Sequence, residues 1–269
     1  MQINGCFNCE DVPVQYEYIR KNINIILTDT DQYDLFFNEF VTFFLSKRLT
    51  PMAYTFMQEF LKGGELDEGK RNYLKNTFRR VFADENHLKG LVGEHLLAFY
   101  YNKAVNDFLM GYGPKGRSSA EPGIDYICFV GDPTNIENIR FIIWETKATE
   151  NRASTRASEI YDFFSLNGSF DENIDAEMRA IQEESRNEQN SNLRQVISNM
   201  PNHVFERDKH MIIGACGILP ENSTTPVTFK SFQKCLPELN KEQRLVKFII
   251  FQAMDKIKAD LRSLIWNRL

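Results

Sequence analysis

The 269-residue chain has no long hydrophobic run. No window reaches the roughly 18–20 apolar residues that a helix needs to cross a bilayer, so a membrane-spanning helix is not expected. A secretory leader is not visible either, because Met1-Gln2-Ile3-Asn4-Gly5-Cys6 has neither a basic start nor an apolar core. Cysteine is sparse and odd in number: Cys6, Cys9, Cys128, Cys216 and Cys235. That count argues against a disulfide framework and leads us to expect the reducing cytoplasm. Cys6-Phe-Asn-Cys9 has no second pair of matching spacing and its nearest histidine is His87, so a four-ligand structural zinc is not expected there. An excess of basic charge is missing too. Thirty-two Lys and Arg face 37 Asp and Glu, a net charge of -5, which excludes a freestanding nucleic-acid coat. A local site for nucleic acid stays open, because the distribution of charge matters more than its sum. Internal repeats and low-complexity tracts are absent.

What is present reads as a globular α/β protein. Hydrophobic residues are 42% and charged residues 26% of the chain, and its length can bury a core without disulfides. After thirty mixed residues, with a strand expected over 23–27, the pattern turns helical. Phe36, Phe40, Phe43 and Phe44 recur at helical spacing over 30–46, with Thr30 or Asp31 as the cap and Thr50-Pro51 as the break. Further helices are expected over 52–61, stopping at Gly63-Gly64, and over 70–82. A well-buried one spans 88–105. A glycine-rich loop over 111–123 leads to strands at 124–130 and 139–148, joined by a turn at Gly131-Asp132-Pro133. A strand is expected over 211–219 and a C-terminal helix over 245–264. The organisation expected is a mainly helical region, 1–84, followed by a domain over 85–269. That domain carries a polar, acidic insertion near 171–192, with seven Asp and Glu against two Arg, read as a solvated helix face or a mobile insertion.

The informative stretch is Phe141-Ile142-Ile143-Trp144-Glu145-Thr146-Lys147. Strand side chains alternate, so Glu145 and Lys147 share a face at the end of an apolar strand. Burying such charges is costly unless they are paired or hold a metal. If 124–130 and 139–148 form a hairpin, Asp125 lies level with Glu145 and Lys147. Two carboxylates on adjacent strands suit one hard cation, Mg²⁺ (with Mn²⁺ able to substitute), and the backbone carbonyl of Thr146 offers a further oxygen. Glu94 falls in the stripe Leu91, Glu94, Leu97, Tyr101 of the 88–105 helix, where a carboxylate needs a partner such as the metal or Lys147. This constellation suits hydrolysis of a phosphodiester: a metal held by Asp125 and Glu145, Lys147 beside the attacking water, and Glu94 completing the site. No covalent nucleophile is needed. His95 faces elsewhere on its helix, and His203 and His210 show no acidic or cysteine partner at informative spacing. Lys115, Arg117, Arg152 and Arg156 flank the site in sequence and are candidate DNA contacts.

Glu94, then Gly123-Ile124-Asp125, then Glu145-Thr146-Lys147, in that order and spacing, resembles the PD-(D/E)XK nuclease superfamily. The likeness covers roughly 85–150. The proline usual beside the aspartate is replaced by Ile124, with Pro122 three positions before the aspartate. The resemblance implies a restriction-endonuclease-like core, a mixed central sheet flanked by helices that continues to about residue 220. More narrowly, Gly90-Leu91-Val92-Gly93-Glu94-His95-Leu96-Leu97 together with Trp144-Glu145-Thr146-Lys147 looks like the nuclease subunit of the bacterial Hachiman anti-phage system. That likeness implies DNA as substrate and a helicase (ATPase) subunit as partner. Two other readings remain: a catalytically silent scaffold of the same fold, and a standalone structure-specific endonuclease, against which the acidic charge counts.

Overall fold

The computed structural model describes residues 3–113, 124–149, 156–165, 170–220 and 229–269. In chain order the elements are β1 (Phe7–Asp11), β2 (Ile19–Ile25), α1 (Thr30–Arg48), α2 (Pro51–Leu61), α3 (Glu68–Ala83), α4 (Glu85–Ala104), β3 (Phe108–Tyr112), β4 (Tyr126–Val130) and β5 (Arg140–Ala148). They continue with α5 (Ala157–Phe163), α6 (Phe170–Glu184), α7 (Ser191–Glu206), β6 (Met211–Leu219), β7 (Arg244–Ile250) and α8 (Met254–Leu261). The seven strands form one mixed sheet in the order β1-β2-β7-β6-β5-β4-β3. The inner four, β2, β7, β6 and β5, run parallel, and an antiparallel arm completes each end.

Helices cover both faces, as parallel strands require. On one face Ile142, Trp144, Cys216, Ile218 and Ile249 share a core with residues of α1–α4 and α8. On the other, Ile143, Ile213, Ala215, Val246 and Phe248 pack with α5, α6 and α7. The first core joins the N-terminal helices to the sheet through aromatic rings: Phe36, Phe40 and Phe43 each lie 5.4–5.5 Å from Phe99 of α4, and Phe36 also meets Phe251. One charge is sealed within it. Lys247 Nζ donates to the Tyr101 hydroxyl at 2.8 Å and sits over the rings of Tyr101, Tyr100 and Trp144. Burial lowers its pKa to about 8, and the aromatic faces offset part of that cost.

Four expectations are corrected. The 245–264 helix is instead strand β7 followed by the shorter α8 and a turn of π-helix. Leu245-Val246-Lys247-Phe248-Ile249-Ile250 is a short apolar run buried on both faces, which periodicity alone does not separate from a buried helix. The cap of α1 is Asp29, whose carboxylate accepts the Gln32 N–H at 2.8 Å, one residue before the expected position. The first expected strand lies earlier, at Ile19–Ile25, and the loop expected from 111 begins inside β3. The acidic stretch forms α6, which is solvated on one side only. Ile174, Met178 and Ile181 are buried in the second core.

Close packing across the sheet depends on Gly214, paired with Trp144 in the β5–β6 register. A Cβ at Gly214 would stand 2.3 Å from the Trp144 ring. Gly214→Ala is therefore expected to lower stability by about 1–3 kcal/mol. In urea unfolding the midpoint should fall with the slope unchanged, and an unshifted midpoint would contradict the seating of Trp144 against β6.

Candidate functional site

The hairpin of β4 and β5 sets the geometry. Tyr126 pairs with Trp144, so Asp125 falls just before the start of β4, beside the end of β5. There the Asp125 carboxylate takes over from the ladder and accepts the Thr146 N–H at 2.6 Å. The N–H and carbonyl of a strand residue face the same edge. The Thr146 carbonyl therefore also points past the end of β4, toward Asp125. Glu145 and Lys147 lie on one face, as alternation requires, and Lys147 Nζ contacts Glu145 Oε1 at 2.8 Å. The Glu145 side chain is only 7% exposed, against 27% for Lys147. Glu145 Oε2 is buried without a hydrogen-bond partner among the described residues. Leaving an ionised carboxylate oxygen in that state is costly unless it is protonated or ligated by something beyond the described residues.

Glu94 comes within electrostatic range of the cluster because α4 packs very close to β5. The preceding residue is glycine: a Cβ at Gly93 would lie 2.9 Å from Ala148 Cβ and 3.1 Å from Ile218 Cδ1. Asp84 starts the helix by accepting the Asn86 N–H at 2.6 Å. From α4 the Glu94 carboxyl feels both partner carboxylates. Burial, Asp125 and Glu145 raise its pKa well above the usual carboxylate range, against the pull of Arg48 and Lys147. Glu145 is pushed up to about 8, by burial first and then by Asp125, although Lys147 opposes the shift. Burial alone would lower the Lys147 pKa, but Glu145 and Asp125 outweigh it and hold the ammonium charged. The cluster thus concentrates more negative charge than its one lysine balances. Its donors are oxygens, which a hard divalent cation prefers, so the orphaned Glu145 oxygen and the mutual repulsion of the carboxylates fit Mg²⁺.

Two residues not anticipated from the sequence complete the surroundings. Glu159 of α5 lies 3.9 Å from Lys147 and also pairs with Arg156, which brings Arg156 to the rim of the cluster. The Arg156-x-x-Glu159 spacing was the available signal. Arg48, in the last turn of α1, acts on Glu94 and shares no sequence proximity with it. The other candidate DNA contacts, Lys115, Arg117 and Arg152, lie outside the described residues, as does Gly123. His95 is structural: Nδ1 lies 2.7 Å from the Leu91 carbonyl, the ring meets Phe44, and burial lowers its pKa to about 3. Cys6 is buried and Cys9 exposed. The view of His203 and His210 is corrected, since Asp208 lies between them and its carboxylate meets His203 Nδ1 at 2.7 Å.

No protein-family model matches the chain, and no curated protein matches it. No helix among the described residues is long and apolar enough to cross a membrane.

The raised Glu145 pKa carries a pH dependence. Its folded-state value lies above the ordinary 4.5, so the fold favours the protonated carboxyl. The associated stability is full below about 4.5 and is lost as pH rises through about 8. In EDTA at pH 9, Glu145→Gln is expected to raise the unfolding free energy by roughly 1 kcal/mol or more, and at pH 4 to leave it nearly unchanged. Urea titrations at both pH values check this, and equal effects at the two would contradict it.

Proposed function

We propose that this chain is a metal-dependent nuclease that hydrolyses phosphodiester bonds of DNA on a restriction-endonuclease-like core. The observation that carries the reading is the buried Glu145 Oε2, without a hydrogen-bond partner among the described residues, beside Asp125 and Lys147 at the end of a strand in a mixed sheet. Asp125, Glu145 and the Thr146 carbonyl would hold Mg²⁺, or Mn²⁺ in its place. The bound ion supplies Lewis-acid polarisation of the phosphodiester and a water of lowered pKa.

The remaining roles belong to the chain. Lys147 stays charged and orients the attacking water or stabilises negative charge on the phosphorus centre. Glu145 fixes the Lys147 ammonium through Oε1 while Oε2 remains for the ion. Asp125 secures the backbone of Thr146, which keeps the strand end straight enough to present both neighbours. Glu94 holds or takes a proton at its carboxyl, as its raised pKa allows, and completes the oxygen set. Arg156, half exposed and tethered by Glu159, is placed to meet a phosphate of the substrate.

The particular protein that the motifs resemble is the nuclease subunit of a Hachiman-type anti-phage system, working in the cytoplasm with a helicase. The net charge of -5 supports this part of the reading. An acidic chain gains little general affinity from the phosphate backbone, so a partner that delivers DNA accounts for how substrate arrives.

Cleavage of plasmid and linear DNA with Mg²⁺ or Mn²⁺, with and without the candidate helicase and ATP, tests the proposal. Glu145→Ala and Lys147→Ala are expected to lower cleavage by at least about 10²-fold while the circular dichroism spectrum is retained. Full activity in Lys147→Ala would sink the mechanism. Absence of cleavage under every condition, with the fold verified, would leave the scaffold reading in its place.

A further inference from the structure

A second cluster of ligating side chains lies at the opposite end of β5. Phe141, near the start of that strand, pairs with Met211, and its N–H donates to the His210 carbonyl at 2.8 Å. Glu145 lies four positions beyond Phe141, about 13 Å along the strand. Here α7 ends and β6 begins. Arg207 takes the left-handed conformation (φ 51°) that terminates α7 and turns the chain back. Gln243 then locks the turn, its Nε2 reaching the carbonyls of Arg207, Asp208 and Met211 at 3.0, 2.6 and 3.2 Å.

This rigid corner brings His203, Asp208 and His210 together, each offering a ligand atom within 4.8 Å of the others. The His203 and His210 rings stack obliquely, centroids 4.4 Å apart. Asp208 Oδ1 accepts the His210 N–H at 2.9 Å, which aims Oδ2 at His203. His210 Nδ1 lies 2.8 Å from the Ile139 carbonyl. A carbonyl only accepts, so Nδ1 carries a proton, which leaves Nε2 as the ring nitrogen available to a ligand. That is the outer-shell hydrogen bond that fixes tautomer and ring orientation in metal-bound histidines.

We propose that His203, Asp208 and His210 form a Zn²⁺ site that clips the end of α7 to the start of β6, separate from the carboxylate cluster at the other end of β5. Two imidazoles and one carboxylate suit a borderline ion such as Zn²⁺, whereas Mg²⁺ prefers oxygen donors throughout. Three protein ligands leave a fourth position to water. On binding, the ion takes the place of the hydrogen bond between His203 and Asp208. Because that bond already gathers the side chains, little reorganisation is needed.

The test reads binding alone and is independent of the nuclease reading. It uses the full chain carrying Cys9→Ser and Glu145→Gln, which removes the exposed thiol and a carboxylate of the other cluster. Titration with Co²⁺ is expected to give one equivalent bound per chain, with the visible d–d bands of a four-coordinate nitrogen and oxygen site. Zn²⁺ should displace it and raise the melting temperature. His203→Gln and, separately, Asp208→Asn should weaken Zn²⁺ binding by at least about tenfold. Both carry their side chains partly exposed, so folding without metal is verified by melting before titration. No stoichiometric Co²⁺ or Zn²⁺ binding would overturn the proposal and leave a hydrogen-bonded His–Asp pair. Unchanged affinity in both variants would overturn it as well.

Discussion

Electrostatic crowding at the end of β5 is the constraint on which the rest of the structure turns. Asp125, Glu145 and Glu94 act on one another electrostatically in a poorly solvated place, with Lys147 in direct contact with Glu145. Without a further positive charge the fold favours protonating two of these carboxyls, which is why both pKa values rise. Such an arrangement costs stability, and a chain selected for stability alone would not retain it. In the function proposed above, a divalent ion sharing the oxygens would offset that cost.

Several features of the fold hold that crowd in place. The β4–β5 hairpin brings Asp125 to Thr146 through backbone register, so its position follows from the ladder itself. The absence of a side chain at Gly93 lets α4 press against Ala148 and Ile218, which delivers Glu94. Helix α1 matters twice: its phenylalanines anchor α4 through Phe99, and its last turn brings the charge of Arg48 to Glu94. On the other face α5 supplies Glu159, which links Lys147 to Arg156. Parallel β6 and β7 back β5 from the middle of the sheet, with Gly214 opening the space that Trp144 fills.

Much of this was legible locally. Helical spacing of phenylalanines marked α1, and the helices expected over 52–61, 70–82 and 88–105 differ from the observed ones by at most three residues at either end. Strand β6 falls on the expected positions. The carboxylates and lysine of the candidate site were readable because alternation and hairpin register act over a few residues. Strand β7 was not: Leu245 to Ile250 carries apolar residues on both faces, and only its place between β2 and β6 makes it a strand. Arg48 and Asp208 were missed for different reasons. Arg48 acts across 46 positions through helix packing, whereas Asp208 is near His203 in sequence but meets it only because α7 stops and turns at Arg207.

The sequence by itself determined the local elements, the pairing of Glu145 with Lys147 on one face, and the candidate chemistry of three carboxylates with one amine. These depend on periodicity and residue type, which short-range sterics and hydrogen bonding set. Tertiary structure alone decided how deeply Glu145 is buried, which of its oxygens lacks a partner, and how close α4 comes to β5. It also decided that one end of β5 gathers mutually repelling carboxyls, while the other lies beside His203, Asp208 and His210. Those properties arise from desolvation and from contacts between segments far apart in the chain, and no local pattern encodes either.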